Sequence, residues 1–205
     1  MIFWRKWLRD FVRVVLQAPA RALAFLEVEP ATLTLLGLMA SLGAGFVAAL
    51  GNLSGAAWLL LLSGFFDMTD GQVARLSGKD SPAGAFLDSL IDRLADGAVL
   101  VGIGYFFAAR GELLYVAFSG AALVASLTVS YAKARAENLI DDCAVGFWER
   151  PERLVLLVLG AFIGPTALGI SMIVLTAGAL WTAGRRALHT FRRLTEIESD
   201  GDEPR

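Results

Sequence analysis

Six apolar stretches follow one another through most of this chain, separated by short polar connections: Thr32–Leu50, Gly55–Arg75, Gly84–Ala109, Leu113–Lys133, Leu154–Leu168 and Gly169–Trp181. A helix needs about 20 largely apolar residues to cross the hydrocarbon of a bilayer. The first four stretches reach that length and the last two fall short of it. Composition points the same way, because 56% of the 205 residues are hydrophobic and 19% are charged, against about a quarter charged in a typical soluble domain. The expected fold is therefore all-α and integral to a membrane, with six transmembrane helices.

Charge in the connections gives an orientation. Gly51–Ser54 and Gly164–Thr166 hold no Lys or Arg and Arg110–Glu112 holds one. Arg75 and Lys79 flank the second connection, Arg135–Arg153 contains three cations, and Arg185, Arg186, Arg192 and Arg193 follow the last stretch. By the positive-inside rule both termini and the two richer connections face the cytoplasm of the cell (inner) membrane.

The segment Met1–Leu26 is interrupted by Arg5, Lys6, Arg9, Asp10 and Arg13, too often for the apolar core of a signal peptide. Phe3, Trp4, Trp7, Leu8, Phe11, Val14 and Val15 supply an opposite face. This is the pattern of an amphipathic helix lying in the interface on anionic lipid. The chain thus divides into an interfacial helix (1–26), a six-span transmembrane domain (27–188) and a polar cytoplasmic tail (189–205). The single cysteine, Cys143, excludes an intramolecular disulfide and reads as packing. His189, the only histidine, reads as a solvated tail residue. The net charge of −2 averages a basic start and an acidic end, and no nucleic-acid partner is expected.

Two of the apolar stretches carry acids that a lipid-facing helix does not tolerate. The second ends with Asp67 and Asp70, and the third contains Asp88, Asp92, Arg93 and Asp96. Each such residue costs about 2.5–3.5 kcal/mol at the centre of a membrane helix, and those that occur face a bundle interior or a wet cavity. From Asp67 to Asp92 the sequence reads D-x-x-D-G-x-x-A-R-x8-G-x-x-x-D-x-x-x-D. Spacings of three and four put each pair on one helix face. If the two helices are antiparallel neighbours joined by Leu76–Ala83, four carboxylates converge at the cytoplasmic mouth, and their mutual repulsion demands cations. Hard oxygen ligands select Mg²⁺, Mn²⁺ or Ca²⁺. Gly71 and Ala74, one turn apart, and Gly84, one turn before Asp88, leave room for a nucleotide near the backbone, while Arg75 offers a bidentate phosphate donor. Small-residue helix packing and a snorkelling arginine account for any one of these, but not for the whole spaced set.

That signature resembles the CDP-alcohol phosphotransferase (CDP-alcohol phosphatidyltransferase) family. The resemblance implies a six-span bundle, a homodimer, and metal-dependent transfer of a phosphatidyl-type group from a CDP-diacylglycerol-type lipid to an alcohol, with release of CMP. It implies Mg²⁺ or Mn²⁺, two ions, held by Asp67, Asp70, Asp88 and Asp92, with Asp92 also the general base. Gly71, Ala74, Arg75 and Gly84 would hold the nucleotide. Pro30–Gly37 looks like the family's P-N-x-x-T-x-x-G opening, which makes Thr34 a further CDP-lipid residue, although Ala31 stands where Asn is usual.

A second polar group, Ser130–Glu137 followed by Glu149–Arg153, places Lys133, Arg135, Arg150 and Arg153 at cytoplasmic helix ends. As a cationic pocket it suits a phosphate-bearing polyol acceptor. S-Y-x-K-A-R-A-E, E-R-x-E-R-L and D-R-L-A-D-G-A-V look most like the phosphatidylinositol phosphate synthase branch of the family, which implies inositol phosphate. The alternative is glycerol 3-phosphate, the acceptor of a phosphatidylglycerophosphate synthase. Asp96 either extends the metal site or pairs with Arg93 or Lys133. A cation transporter is the competing class, since intramembrane carboxylates also line ion paths; it lacks the expected inverted repeat.

Overall fold

Prolines, glycines and short polar side chains set the helix ends. The computed structural model describes residues 16–140, 143 and 145–201. Among them are helices α1 (16–25), α2 (Pro30–Ala49), α3 (Leu53–Ser77), α4 (Pro82–Ala109), α5 (Leu113–Ala136), α6 (Arg150–Ile163) and α7 (Pro165–Gly201), with no strand. Asn52 starts α3 by accepting the Gly55 N–H at 2.9 Å. Gly78, at φ +63°, ends it in the left-handed conformation that glycine adopts without penalty. Ser81 then caps α4, accepting the Gly84 N–H at 3.1 Å ahead of Pro82.

Most of the expected interfacial helix, 1–15, lies outside the described residues. The described remainder, α1, packs Ala20 against Leu33 of α2 and Val73 of α3. Helices α2, α5 and α7 are long and apolar enough to cross a membrane, so the chain is an all-α membrane protein. Between the fifth and sixth stretches the break falls in the Gly164–Thr166 connection, at Gly164–Pro165, and not between Leu168 and Gly169. Proline lacks the N–H a helix interior needs and presets the φ of a first turn, so it opens α7. That helix continues unbroken past 188, where the polar tail was expected to begin.

The helices from α2 onward close a ring in the order α2, α3, α6, α7, α5, α4. Helix α2 packs closely on both α3 and α4, and these two approach each other through their acidic side chains. Gly45 and Gly102 allow that approach, because a Cβ on either would collide with the opposing backbone. The main apolar core occupies one end of the ring. It takes Leu53–Leu60 from the first half of α3 and Val99–Phe107 from the second half of α4. The remaining halves of α3 and α4, which carry the acids, meet at the other end.

Candidate active site

Asp67 on α3 and Asp88 and Asp92 on α4 each offer a carboxylate oxygen, all within 4.8 Å of one another. All three are half-buried. The Asp88 Oδ1 atom is buried without a hydrogen-bond partner among the described residues. Three anionic oxygens facing one another, one of them otherwise unsatisfied, fit a hard divalent cation. Asp70 stands apart from this trio. It is buried, its Oδ2 accepts the Thr34 hydroxyl at 2.7 Å and its Oδ1 faces the Gly71 N–H at 2.5 Å. Thr34, expected as a nucleotide contact, is thus tied to Asp70, and it also donates to the Pro30 carbonyl at 3.2 Å. On the flank, Gly71 and Ala74 are half-buried and Arg75 and Gly84 exposed, an accessible strip beside the carboxylates.

From α6, Arg150 reaches into the carboxylates. Its Nη1 bonds Asp67 and lies 2.8 Å from Asp92 Oδ1, and its Nε lies 3.7 Å from Asp96. One turn on, Arg153 Nη2 meets Asp96 Oδ2 at 3.0 Å. Asp96 therefore pairs with neither expected partner. Lys133 turns to Glu137 at 3.8 Å and Arg93 to the Ser89 carbonyl. Asp96 also stays outside the carboxylate trio.

Beside the trio lies a polar cavity of about 330 Å³ whose walls include Asp92, Asp96, Lys133, Arg150, Arg153 and Arg186. Three of the four expected acceptor cations line it. Arg135 does not; it is exposed on the far side of the α5 end. Arg186, expected from sequence only as an orienting charge, stands in the wall instead. Arg186 is 2% exposed. It donates Nε to the Val145 carbonyl at 2.9 Å and Nη1 to the Val129 carbonyl at 2.8 Å, and pairs with Glu149 at 3.4 Å. A signal for it existed: Leu168, Met172, Leu175, Ala179, Thr182 and Arg186 recur every three or four residues, and all are fully buried.

Residues 28–184 match the family model of the CDP-alcohol phosphatidyltransferases. The chain belongs to that family. It is 39% identical to the archaetidylinositol phosphate synthase of Methanothermobacter thermautotrophicus, over 79% of this chain and 83% of that one. The phosphatidylinositol phosphate synthase of Corynebacterium glutamicum is 34% identical, over 87% and 84%. Among solved structures, the Mycobacterium tuberculosis phosphatidylinositol phosphate synthase with CDP-DAG bound aligns with a TM-score of 0.75 at 36% identity, covering 86% of this chain and 92% of that one. Its complex with manganese and citrate aligns at 0.74 and 35% identity, covering 85% and 88%. This phosphatidyltransferase is therefore a divalent-metal-dependent membrane enzyme of phospholipid synthesis.

Proposed function

We propose that this phosphatidyltransferase moves the lipid phosphate of a CDP-diacylglycerol-type donor onto inositol phosphate, releasing CMP. The observation that carries the acceptor is the cavity next to Asp92, whose walls gather Lys133, Arg150, Arg153 and Arg186. The walls also carry Asp92, Asp96, Glu137 and Glu149, and Arg186 is held by two carbonyls and Glu149, so Lys133, Arg150 and Arg153 are the cations that a phosphomonoester would recruit as charge-assisted donors. The names of the relatives support the same acceptor class.

Asp67, Asp70, Asp88 and Asp92 are the residues that would hold metal, read as Mg²⁺ or Mn²⁺ and two ions. When bound, such ions supply charge neutralisation and polarisation of a diphosphate. Thr34 orients Asp70 through its hydroxyl, and Gly71, Ala74, Arg75 and Gly84 hold the nucleotide along the accessible strip. Arg150 and Arg153 orient the acceptor phosphate so that a ring hydroxyl faces Asp92. The Asp92 carboxylate takes the proton of that hydroxyl as its oxygen bonds to the lipid-side phosphorus. The bond from that phosphorus to the bridging oxygen breaks, and CMP departs with the electron pair. No covalent enzyme intermediate is needed.

The wider reading is a six-span homodimer in the cytoplasmic membrane, with Met1–Leu26 at the interface and the site facing the cytoplasm. Purified protein with CDP-diacylglycerol, Mn²⁺ or Mg²⁺ and a panel of inositol phosphate, glycerol 3-phosphate, inositol and serine tests it by CMP release. Inositol phosphate should be the preferred acceptor. Preference for glycerol 3-phosphate would select the alternative synthase, and cation flux in liposomes without CMP release would return the chain to a transporter.

A further inference from the structure

On α4 the residues Asp88, Asp92 and Asp96 follow at one-turn intervals along one face. The first two join Asp67, but Asp96, a turn nearer the apolar core, does not. It meets Arg153 Nη2 at 3.0 Å and stands 3.7 Å from Arg150 Nε. Arg153 is 6% exposed, so its guanidinium is not solvated. Its other nitrogens, Nε and Nη1, are buried without a hydrogen-bond partner among the described residues. Asp96 and Arg153 line both the polar cavity and a small void walled by Val99, Leu100, Leu157 and the Ser126 hydroxyl. With Nη2 held by Asp96 and two donors unspent, Arg153 stands at the wall of the polar cavity as a side chain suited to an anion.

We propose that Asp96 is a positioning residue for the acceptor: it clamps Arg153 so that the free donors meet the acceptor's phosphate, and its influence on the acceptor passes through Arg153. This rests on the reading of the cavity as a phosphate site. Electrostatics and positioning predict opposite signs here. Removing a negative charge from the wall of an anion site should tighten an anion if only the field matters, whereas releasing the clamp should loosen it.

The test uses the full-length enzyme in detergent with CDP-diacylglycerol, Mn²⁺ and inositol phosphate. Asp96→Asn is expected to raise KM for inositol phosphate about tenfold, the scale of one misdirected charge-assisted hydrogen bond. KM for CDP-diacylglycerol, kcat and the calorimetric affinity for Mn²⁺ should stay close to wild type. The double variant Asp96→Asn with Arg153→Gln should be no worse than Arg153→Gln alone, because a residue acting through another adds nothing once that other is gone. Asp96→Glu, which keeps the charge but shifts it by one methylene, should give an intermediate KM, and it serves as the deciding variant if Asp96→Asn does not fold. An acceptor KM that falls or stays unchanged in either single variant overturns the inference. So does an additive double variant, or weakened Mn²⁺ binding, which would make Asp96 a metal ligand. If Arg153→Gln itself leaves the acceptor KM alone, the phosphate reading of the cavity fails along with it. If Arg153→Gln raises that KM and Asp96→Asn does not, the role of Asp96 alone is lost.

Discussion

Asp92 sits at the junction of everything the site does, facing Asp67 and Asp88 on one side and opening onto the polar cavity on the other. Asp92→Asn preserves its shape and removes its basicity, so turnover should fall at least about 10²-fold, the usual scale for a positioned base. CDP-lipid binding should survive, and a calorimetric titration beside the rate assay separates the two. Asp67→Ala removes one of three converging ligands and should weaken Mn²⁺ binding measurably; unchanged affinity would falsify the assignment of the trio as a metal site. Arg186→Ala leaves the Val129 and Val145 carbonyls without their donor and the buried end of α7 with a hole. Hydrogen bonds to a charged group contribute about 1.5–3 kcal/mol each, so the melting temperature in detergent should drop by several degrees, with Arg186→Lys restoring only part. The acids were readable from sequence because a carboxylate in an apolar stretch has a cost that function must explain. Arg186 was not, since it follows the last apolar run and looks like any orienting cation until the buried stripe of α7 is traced through it.

Element ends were legible wherever the chain carries a stiff or permissive residue. The α3–α4 link falls within the expected Leu76–Ala83, closed by Gly78 and opened again by Ser81 and Pro82. At the fifth and sixth stretches, apolar composition alone cannot say where one helix stops, and Pro165 decides it. Packing partners were less legible, because a short link between two helices suggests that they pack together. Here the closest approach belongs to α2 and α4 at Gly45 and Gly102. Gly102→Ala puts a methyl into the Gly45 backbone, where no flexible side chain exists to yield. Overpacking of this kind costs about 1–3 kcal/mol. Thermal unfolding of Gly102→Ala should shift downward more than that of Gly120→Ala, where a Cβ meets open space. Equal shifts would mean the helices slide apart at little cost.

For the molecule as a whole, the apolar core and the acidic cluster occupy opposite ends of one ring, and the proposed topology would put the chemistry on the cytoplasmic side. Orientation can be read with thiols because Cys143, the single native cysteine, is fully buried beside Ala136 and Ile140. A membrane-impermeant maleimide added to intact cells should label a cysteine placed at Glu112 but not one at Lys79, and inverted vesicles should reverse the result. Labelling of both positions from the same side would refute the proposed topology. At about 1.5 Å per residue, the 37 residues of α7 extend roughly 55 Å, against about 30 Å of hydrocarbon. The same unbroken rod is therefore about 25 Å longer than the hydrocarbon is thick, and it supplies Arg186 to a wall of the cavity. A helical protein fused in register near Gly201 would inherit that axis, giving single-particle imaging a rigid fiducial that moves with the catalytic core.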